Sequence, residues 1–175
     1  ELLNWANENP NRYIVEDDYD SEFKYTGRPI PALKATDIND KVIYLGSFSK
    51  SISPAIRVSY LVLPKTLLNI YQKKLPYFIC PVPTLNQKIL YKFIKEGYFV
   101  KHINKMRTLY KKKREFLVNT IKTYSSKILD KEIYIQGADA GLHLVIKLDK
   151  KINEKEFLKE CLENSLKLYS LEEYN

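Results

Sequence analysis

Three short apolar runs interrupt the first third of the chain, at residues 13–15, 42–45 and 58–63. Continuous apolar runs of this length are typical of strands that a parallel sheet buries on both faces. Helical spacing predicts a first helix over residues 1–9 and another over residues 66–74. Buried strands that alternate with helices predict an α/β layer.

The pattern changes after about residue 97. Before it, Thr84 and Gln87 have the spacing of a capping box and predict the start of a helix at Thr84. The spacing of apolar residues predicts helices over 84–96, 100–124 and 154–166, and strands over 133–135, over 142–148 and from residue 168. A smaller α+β unit is therefore expected to follow the α/β layer from about residue 98.

The composition agrees with a folded globular protein. The 175 residues are 45% hydrophobic and 29% charged, which excludes a disordered or collagen-like chain. No apolar run approaches the roughly 20 residues of a membrane span, and no signal-peptide pattern is present. The two cysteines, Cys80 and Cys161, do not form a disulfide or metal framework, so we expect the protein in the reducing cytoplasm.

The net charge of +8 is unevenly distributed. Residues 1–92 carry a net +3 and residues 93–175 a net +5, with the highest density of basic residues over 101–114. Such an excess can attract nucleic acid or an acidic partner. A solvated helix face is the favoured interpretation, because lysines dominate and do not alternate with aromatic residues on a strand.

Candidate chemistry follows the first two predicted strands. An acidic run, residues 16–20, comes after the first strand, and Ser47 and Lys50 come after the second, with Arg57 seven residues further on. Ligands of open α/β sheets bind at the carboxyl ends of the strands. A lysine placed there can attack an aldehyde, while a hydroxyl and a guanidinium can bind an anion. Together with a carboxylate for a ring nitrogen, these groups are what a pyridoxal phosphate site requires.

Longer stretches of sequence carry a family resemblance. Residues 13–33 read YIVEDDYDSEFKYTGRPIPAL, and residues 42–51 read VIYLGSFSKS. The match continues at residues 83–87, 93–99, 102–110 and 137–144. In these stretches the chain resembles the aminotransferase-like domain of MocR-type regulators of the GntR superfamily. Those domains are related to class I and II aminotransferases of pyridoxal phosphate (PLP) fold type I.

The resemblance implies a role for each of five residues. Lys50 would form a Schiff base with PLP, and in a working transaminase it would also carry the proton between the substrate and the cofactor. Asp17 would pair with the pyridine N–H, and Tyr19 would hydrogen-bond the cofactor's 3′-oxygen. Ser47 and Arg57 would bind the phosphate. No residue is predicted to bind a metal.

Other polar residues in the matching stretches are predicted to be structural. Three of them lie outside the cofactor loops: His102, Arg107 and His143. Three acidic residues near the first strand have no implied role and are expected to make turn structure and local hydrogen bonds: Asp18, Asp20 and Glu22.

The resemblance also implies a domain organisation. Residues 1–97 would be part of the PLP-binding large domain, with a mostly parallel sheet and helices. Residues 98–175 would be the small α+β domain, incomplete at its end. Because the match begins midway through the large domain, we expect the chain to be a piece of a longer protein. We also expect this piece alone to bind PLP weakly or not at all.

Three functions remain open at this point. The resemblance favours an effector domain of a transcriptional regulator that senses an amine or amino acid through PLP. Such a protein would form a homodimer and would contact DNA through a winged helix preceding these residues. The alternative is a catalytically active class I/II aminotransferase. A third hypothesis is that the acidic residues between 16 and 22 bind a hard cation, although their spacing lacks the glycine and the bidentate glutamate of a calcium loop.

Overall fold

The computed structural model describes residues 1–27, 30–128, 134–149 and 152–174. The chain forms two compact units. The first comprises Glu1–Lys111 with Asp139–Leu142, and the second comprises Lys112–Ala138 with His143–Asn175. The boundary between family domains that the resemblance implies, at residues 97 and 98, stays a prediction.

The first unit is built on a three-stranded sheet. Its strands are β1 (Ile14–Asp18), β2 (Val42–Ser47) and β3 (Ser59–Val62), in that spatial order. The predicted parallel pairing is confirmed for β1 and β2, whereas β3 runs antiparallel to β2. Every residue of β3 is exposed, so the prediction of a buried third strand is wrong. An apolar run indicates a strand but fixes neither its direction nor what covers it.

Helices connect and flank these strands. They are α1 (Leu2–Asn7), α2 (Leu33–Thr36), α3 (Phe48–Ser51), α4 (Lys65–Lys74), α5 (Thr84–Lys95) and α6 (Tyr98–Ile128), the last of which continues into the second unit. Among the described helices, none is both long enough and apolar enough to cross a membrane.

The predicted capping box at the start of α5 is wrong. Pro83 occupies the N-cap position, and no side chain caps this helix end. The Gln87 side chain instead donates a hydrogen bond to the carbonyl of Val82 at 2.8 Å. Thr84 is already the first helical residue, so its side chain is one position too far along the chain to cap.

The segment that follows β1 contributes to the core of the first unit. Phe23 is fully buried and meets the ring of Tyr110 edge to face, with 5.5 Å between the ring centroids. The Tyr25 hydroxyl donates to the carbonyl of Gly141 at 2.9 Å, and Lys24 forms an isolated bridge with Ala140. These contacts attach the returning segment Asp139–Leu142 to the first unit.

The second unit contains the rest of α6, an antiparallel pair and a final helix. The pair is β4 (Tyr134–Gln136) with β5 (Val145–Lys147), close to two predicted strands; residue 133 lies outside the described residues. Asn153 is the N-cap of helix α7 (Glu154–Glu163), and its side chain accepts the N–H of Lys155. The strand predicted from residue 168 is wrong. A 3-10 turn forms at Leu171–Tyr174 instead, because no strand in the described part of the chain offers residues 168–169 a ladder.

Candidate functional site

The candidate site lies in the first unit, where the parallel strands β1 and β2 end. Asp17 is opposite Leu45 and Asp18 is opposite Gly46 in the register of the two strands. The acidic run was predicted to come after the first strand, but β1 continues through Asp18. That part of the prediction is wrong, because ladder bonds to β2 hold the first acidic residues in the sheet.

Lys50 is carried by a single helical turn that follows β2 directly. Ser47 is the last residue of β2 and the N-cap of α3, and its hydroxyl accepts the N–H of Ser49 at 3.1 Å. This cap begins the turn as soon as the strand ends. Lys50 is the third residue of α3 and is exposed.

Asp17 and Ser47 lie on the same face of the sheet. Side chains alternate along a strand, and Leu45, opposite Asp17, is two residues from Ser47. Asp17 is exposed and Ser47 is half-buried. The sheet therefore presents a carboxylate and a hydroxyl side by side near the ends of neighbouring strands.

Arg57 reaches the same edge by a different route. It follows a 3-10 turn at Pro54–Ile56 and has left-handed backbone angles, φ 49° and ψ 40°. Such a conformation costs a non-glycine residue about 1–3 kcal/mol and is concentrated at functional sites. The carbonyl of the next residue, Val58, accepts the N–H of Phe48 at 3.0 Å, and Ser59 then pairs with Ser47. These backbone contacts place Arg57 one residue before the point where the chain reaches the first residue of α3.

The structure brings four of the five predicted site residues to one edge of the sheet: Asp17, Ser47, Lys50 and Arg57. Tyr19 follows just beyond β1, with 41% of its surface exposed. Within the described residues, Asp17, Lys50 and Arg57 take part in no ion pair. All three are exposed.

Two of the residues predicted to be structural hold the surroundings of the site. The His102 ring nitrogen Nε2 lies 3.1 Å from the carbonyl oxygen of Ser51, the last residue of α3. Arg107 donates from Nε to the carbonyl of Glu22 at 2.9 Å. His143 is exposed and lies in the second unit.

The other acidic residues near the end of β1 serve the local fold. The Glu16 carboxylate accepts the N–H groups of Leu33 and Lys34 at 2.6 and 2.9 Å, which satisfies the start of α2. Asp18 accepts two hydrogen bonds from Ser21, which confirms the local hydrogen bonding predicted for it. In the described part of the chain, no group of three or more metal-ligating side chains is arranged for an ion, so the hard-cation hypothesis gains no support.

Tyr44 is a residue that the sequence analysis missed. Its position in β2 was interpreted only as part of an apolar strand. In the structure its hydroxyl donates to Asp18 Oδ2 at 2.7 Å. Burial raises the pKa of Tyr44 well above its ordinary value, and the hydrogen bond to Asp18 raises it further. The hydroxyl therefore stays protonated and remains a donor.

An aromatic cluster packs against the same end of β2. The ring of Tyr60 lies 6.1 Å from that of Tyr44 and 5.2 Å from that of Phe48, and Phe48 in turn meets Phe99 at 5.9 Å. Gly46 leaves room for the Tyr60 ring, since a Cβ there would overlap it. The glycine of the GSFSK segment thus makes space for an aromatic side chain beneath α3.

Glu22 adds a half-buried acid to this region. Burial raises the pKa of Glu22, and the nearby carboxylates of Asp18 and Asp20 raise it further, whereas the hydrogen bond at its own backbone and Arg107 act in the opposite direction. The carboxyl group therefore resists ionisation.

Known proteins resemble this chain along nearly its whole length. Two proteins of Bacillus subtilis (strain 168), the uncharacterized HTH-type transcriptional regulators YdeL and YhdI, are 38% and 40% identical to it over 169 residues. Each alignment includes 97% of this chain and 35% of the relative, so the chain spans about a third of the length of these relatives.

A solved structure has the same fold. The multiple substrate aminotransferase from Thermococcus profundus superposes with a TM-score of 0.79 at 28% identity, over 95% of this chain and 40% of that one. This likeness confirms the predicted α/β fold class. The aminotransferase class I and II family itself matches residues 1–172. The chain therefore belongs to the family of class I and II aminotransferases.

Proposed function

We propose that this chain is the cofactor-binding part of an effector domain in a MocR-type transcriptional regulator of the GntR superfamily. Pyridoxal phosphate, bound at Lys50, would sense an amine or amino acid. The observation that carries the proposal is the placement of Asp17, Ser47, Lys50 and Arg57 at one edge of the sheet. Membership of the aminotransferase family supports the choice of cofactor.

The donor set at this edge fits pyridoxal phosphate. When bound, the cofactor supplies an aldehyde that condenses with amines and a ring that can accept electrons. Ser47 and Arg57 offer a hydroxyl and a planar guanidinium, which suit a phosphate. Asp17, on the same face as Ser47, offers a carboxylate to a protonated ring nitrogen, and Tyr19 beyond it offers a hydroxyl to the ring oxygen.

Lys50 has the geometry for the covalent contact. Its amine extends from a turn that Ser47 caps at one end and the His102 ring contacts at the other. A backbone fixed on both sides limits where the amine can reach. In the described part of the chain, no carboxylate pairs with this amine.

The relatives favour a regulator over an enzyme. YdeL and YhdI are HTH-type transcriptional regulators, and they match the chain at higher identity than the Thermococcus profundus aminotransferase does. In a regulator, ligand binding shifts a conformational equilibrium instead of driving turnover. We propose that the whole protein is a cytoplasmic homodimer that binds DNA through a separate N-terminal domain.

A catalytic aminotransferase is the second candidate. The shared fold with the multiple substrate aminotransferase, at a TM-score of 0.79, favours it. In that case Lys50 would also move the proton between the substrate's α-carbon and the cofactor, since it is the one proposed site residue with an amine.

Lys50→Ala in the natural protein that contains this chain tests the cofactor site. We expect the wild type to gain a visible absorbance band with pyridoxal phosphate and the variant to lose it. Lys88→Ala is the matched control, because Lys88 is an exposed lysine on α5. An unchanged band in Lys50→Ala would refute the proposed site.

Two further assays separate the two candidate functions. For a regulator, adding amines or amino acids to the loaded protein should change its affinity for DNA. For an enzyme, the same protein should convert an amino acid to its 2-oxo acid over many turnovers.

A further inference from the structure

One carboxylate lies between two proposed cofactor contacts and is held by three hydrogen bonds. Asp18 Oδ2 accepts the hydroxyl of Tyr44 at 2.7 Å and the hydroxyl of Ser21 at 2.7 Å. Asp18 Oδ1 accepts the backbone N–H of Ser21 at 3.1 Å. Hydrogen bonds to an ionised acceptor are roughly twice as strong as neutral ones, so this group is well fixed.

These bonds act where the sheet stops holding the chain. The β1–β2 ladder ends with the pair Asp18 and Gly46. Beyond it, the described contacts that hold the chain around Tyr19 include the hydrogen bonds of Asp18, a turn bond from the N–H of Phe23 to the carbonyl of Asp20, and the bond from Arg107 Nε to the carbonyl of Glu22. Of these contacts, the hydrogen bonds of Asp18 lie immediately next to Tyr19 in the chain.

The anchor and the proposed ligand lie on opposite faces of the same strand. Asp17 is exposed on one face, while Asp18 is half-buried on the other, where it meets Tyr44. Because neighbouring strand residues share one backbone, the bonds of the Asp18 side chain act together with the β1–β2 ladder on the direction of Asp17. The anchor can therefore act on the ligand face without touching a ligand.

We propose that Tyr44 is a positioning residue that acts through Asp18 to aim Asp17 and Tyr19 at the bound cofactor. This inference rests on the proposed function of Lys50. Tyr44 belongs to β2, six residues before Lys50. Its hydroxyl thus links β2, which leads to Lys50, with β1, which carries Asp17.

The state of Tyr44 suits this role. Its hydroxyl remains protonated and is therefore a donor to Asp18. Tyr60 packs beside the Tyr44 ring, with 6.1 Å between the ring centroids.

Tyr44→Phe tests the proposal in the natural protein that contains this chain. The change removes one hydroxyl and keeps the ring. Loss of a hydrogen bond to a charged group should raise the dissociation constant for pyridoxal phosphate about tenfold. It should also shift the pH at which the absorbance of the bound cofactor changes, because Asp17 is no longer aimed at the ring nitrogen.

Tyr13→Phe is the matched control. This change also removes one tyrosine hydroxyl, at the residue just before β1. The Tyr13 ring contacts Lys41, and within the described structure its hydroxyl has no carboxylate partner. We expect wild-type affinity and a wild-type pH titration. A merely structural role for Tyr44 would lower the melting temperature of Tyr44→Phe and leave its pH titration unchanged, and that result would overturn the proposal.

A double-mutant cycle with Asp18→Asn tests whether the two residues act together. Asparagine keeps the shape of Asp18 but leaves one acceptor oxygen, so it should weaken cofactor binding in the same direction. If Tyr44 acts through Asp18, the double variant should bind no more weakly than the weaker-binding single variant. If the losses of cofactor affinity are additive, or if both single variants bind the cofactor as the wild type does, Tyr44 does not act through Asp18. Loss of the band in Lys50→Ala is an independent result, so failure of this inference is distinguishable from failure of the cofactor site.

Discussion

Gly46→Ala should destabilise the protein, because β2 passes too close to Tyr60 for a larger residue. A Cβ at Gly46 would lie 2.7 Å from Cε1 of Tyr60 and closer still to the end of the ring. Real Cβ atoms do not approach ring atoms so closely, so the ring must move. Gly46 is buried in the middle of the sheet, so the strand itself has little freedom to yield.

The size of the effect follows from what the Tyr60 ring would lose. It packs against Tyr44 at 6.1 Å and Phe48 at 5.2 Å, and each aromatic pair contributes about 0.5–1.5 kcal/mol. If the ring turns out, the protein loses both aromatic contacts, about 1–3 kcal/mol of stability in total. If the ring stays in place, the overpacked core costs a similar amount of free energy. Alanine also adds about 0.5–1 kcal/mol of stability relative to glycine, because glycine loses more backbone entropy on folding. The net loss should be about 1–2 kcal/mol.

Urea denaturation followed by circular dichroism measures this loss. With a urea dependence of about 1–3 kcal/mol/M, the midpoint should fall by about 0.5–1 M without a change in slope. Tyr60→Thr supplies the control background, since it removes the ring and keeps a residue that favours strands. There, Gly46→Ala should be neutral or slightly stabilising. Equal destabilisation in both backgrounds, or none in the wild type, would refute the steric explanation.

Two further predictions concern pH. Burial tends to raise the pKa of Asp37, but the N–H groups of Lys41 and Val42, at 2.7 and 2.8 Å, outweigh it and lower the pKa. The ionised carboxylate therefore stabilises the fold fully above about pH 4, and this contribution is lost as the pH falls through the lowered pKa of the folded state. Asp37→Asn should make the unfolding free energy depend less steeply on pH in the acid range. Burial raises the pKa of Glu22 in the folded protein. At a pH where the unfolded chain ionises this group readily, its ionisation therefore opposes folding. Glu22→Gln should therefore raise the unfolding free energy at pH 7 and remove the gain seen on mild acidification; a less stable variant would contradict this sign.

The sequence predicted the parts of this fold that depend on local pattern. Strands β1 and β2, the long helix α6 and the β4–β5 pair were found from apolar spacing alone, with errors of a few residues at their ends. The direction and exposure of β3 were not, because they depend on which strand it pairs with and on what covers it. The cap of α5 failed for a finer reason: Thr84 is itself the first helical residue, whereas a capping residue must come just before the helix.

The candidate site shows the same division. Lys50 and Ser47 could be picked out as candidates because they directly follow a predicted strand, which is a local feature, whereas their roles come from the family resemblance and stay a prediction. Arg57 could be named but not placed, since its position depends on the pairing of Ser59 with Ser47. Tyr44 could not be identified at all. A tyrosine within an apolar run fits a buried strand equally well whether or not its hydroxyl has a partner.

The acidic run shows why composition alone misleads at such a site. Glu16, Asp17 and Asp18 are adjacent and chemically alike, yet the pleat of β1 sends them in alternating directions. Glu16 satisfies the first N–H groups of α2, and Asp18 receives Tyr44 and Ser21, so both are committed to the fold. Only Asp17, on the other face, is exposed and takes part in no ion pair within the described residues. The three carboxylates are therefore not interchangeable. Glu16 and Asp18 bond to their own surroundings, and under the proposed function the carboxylate between them is the one that would face a ligand.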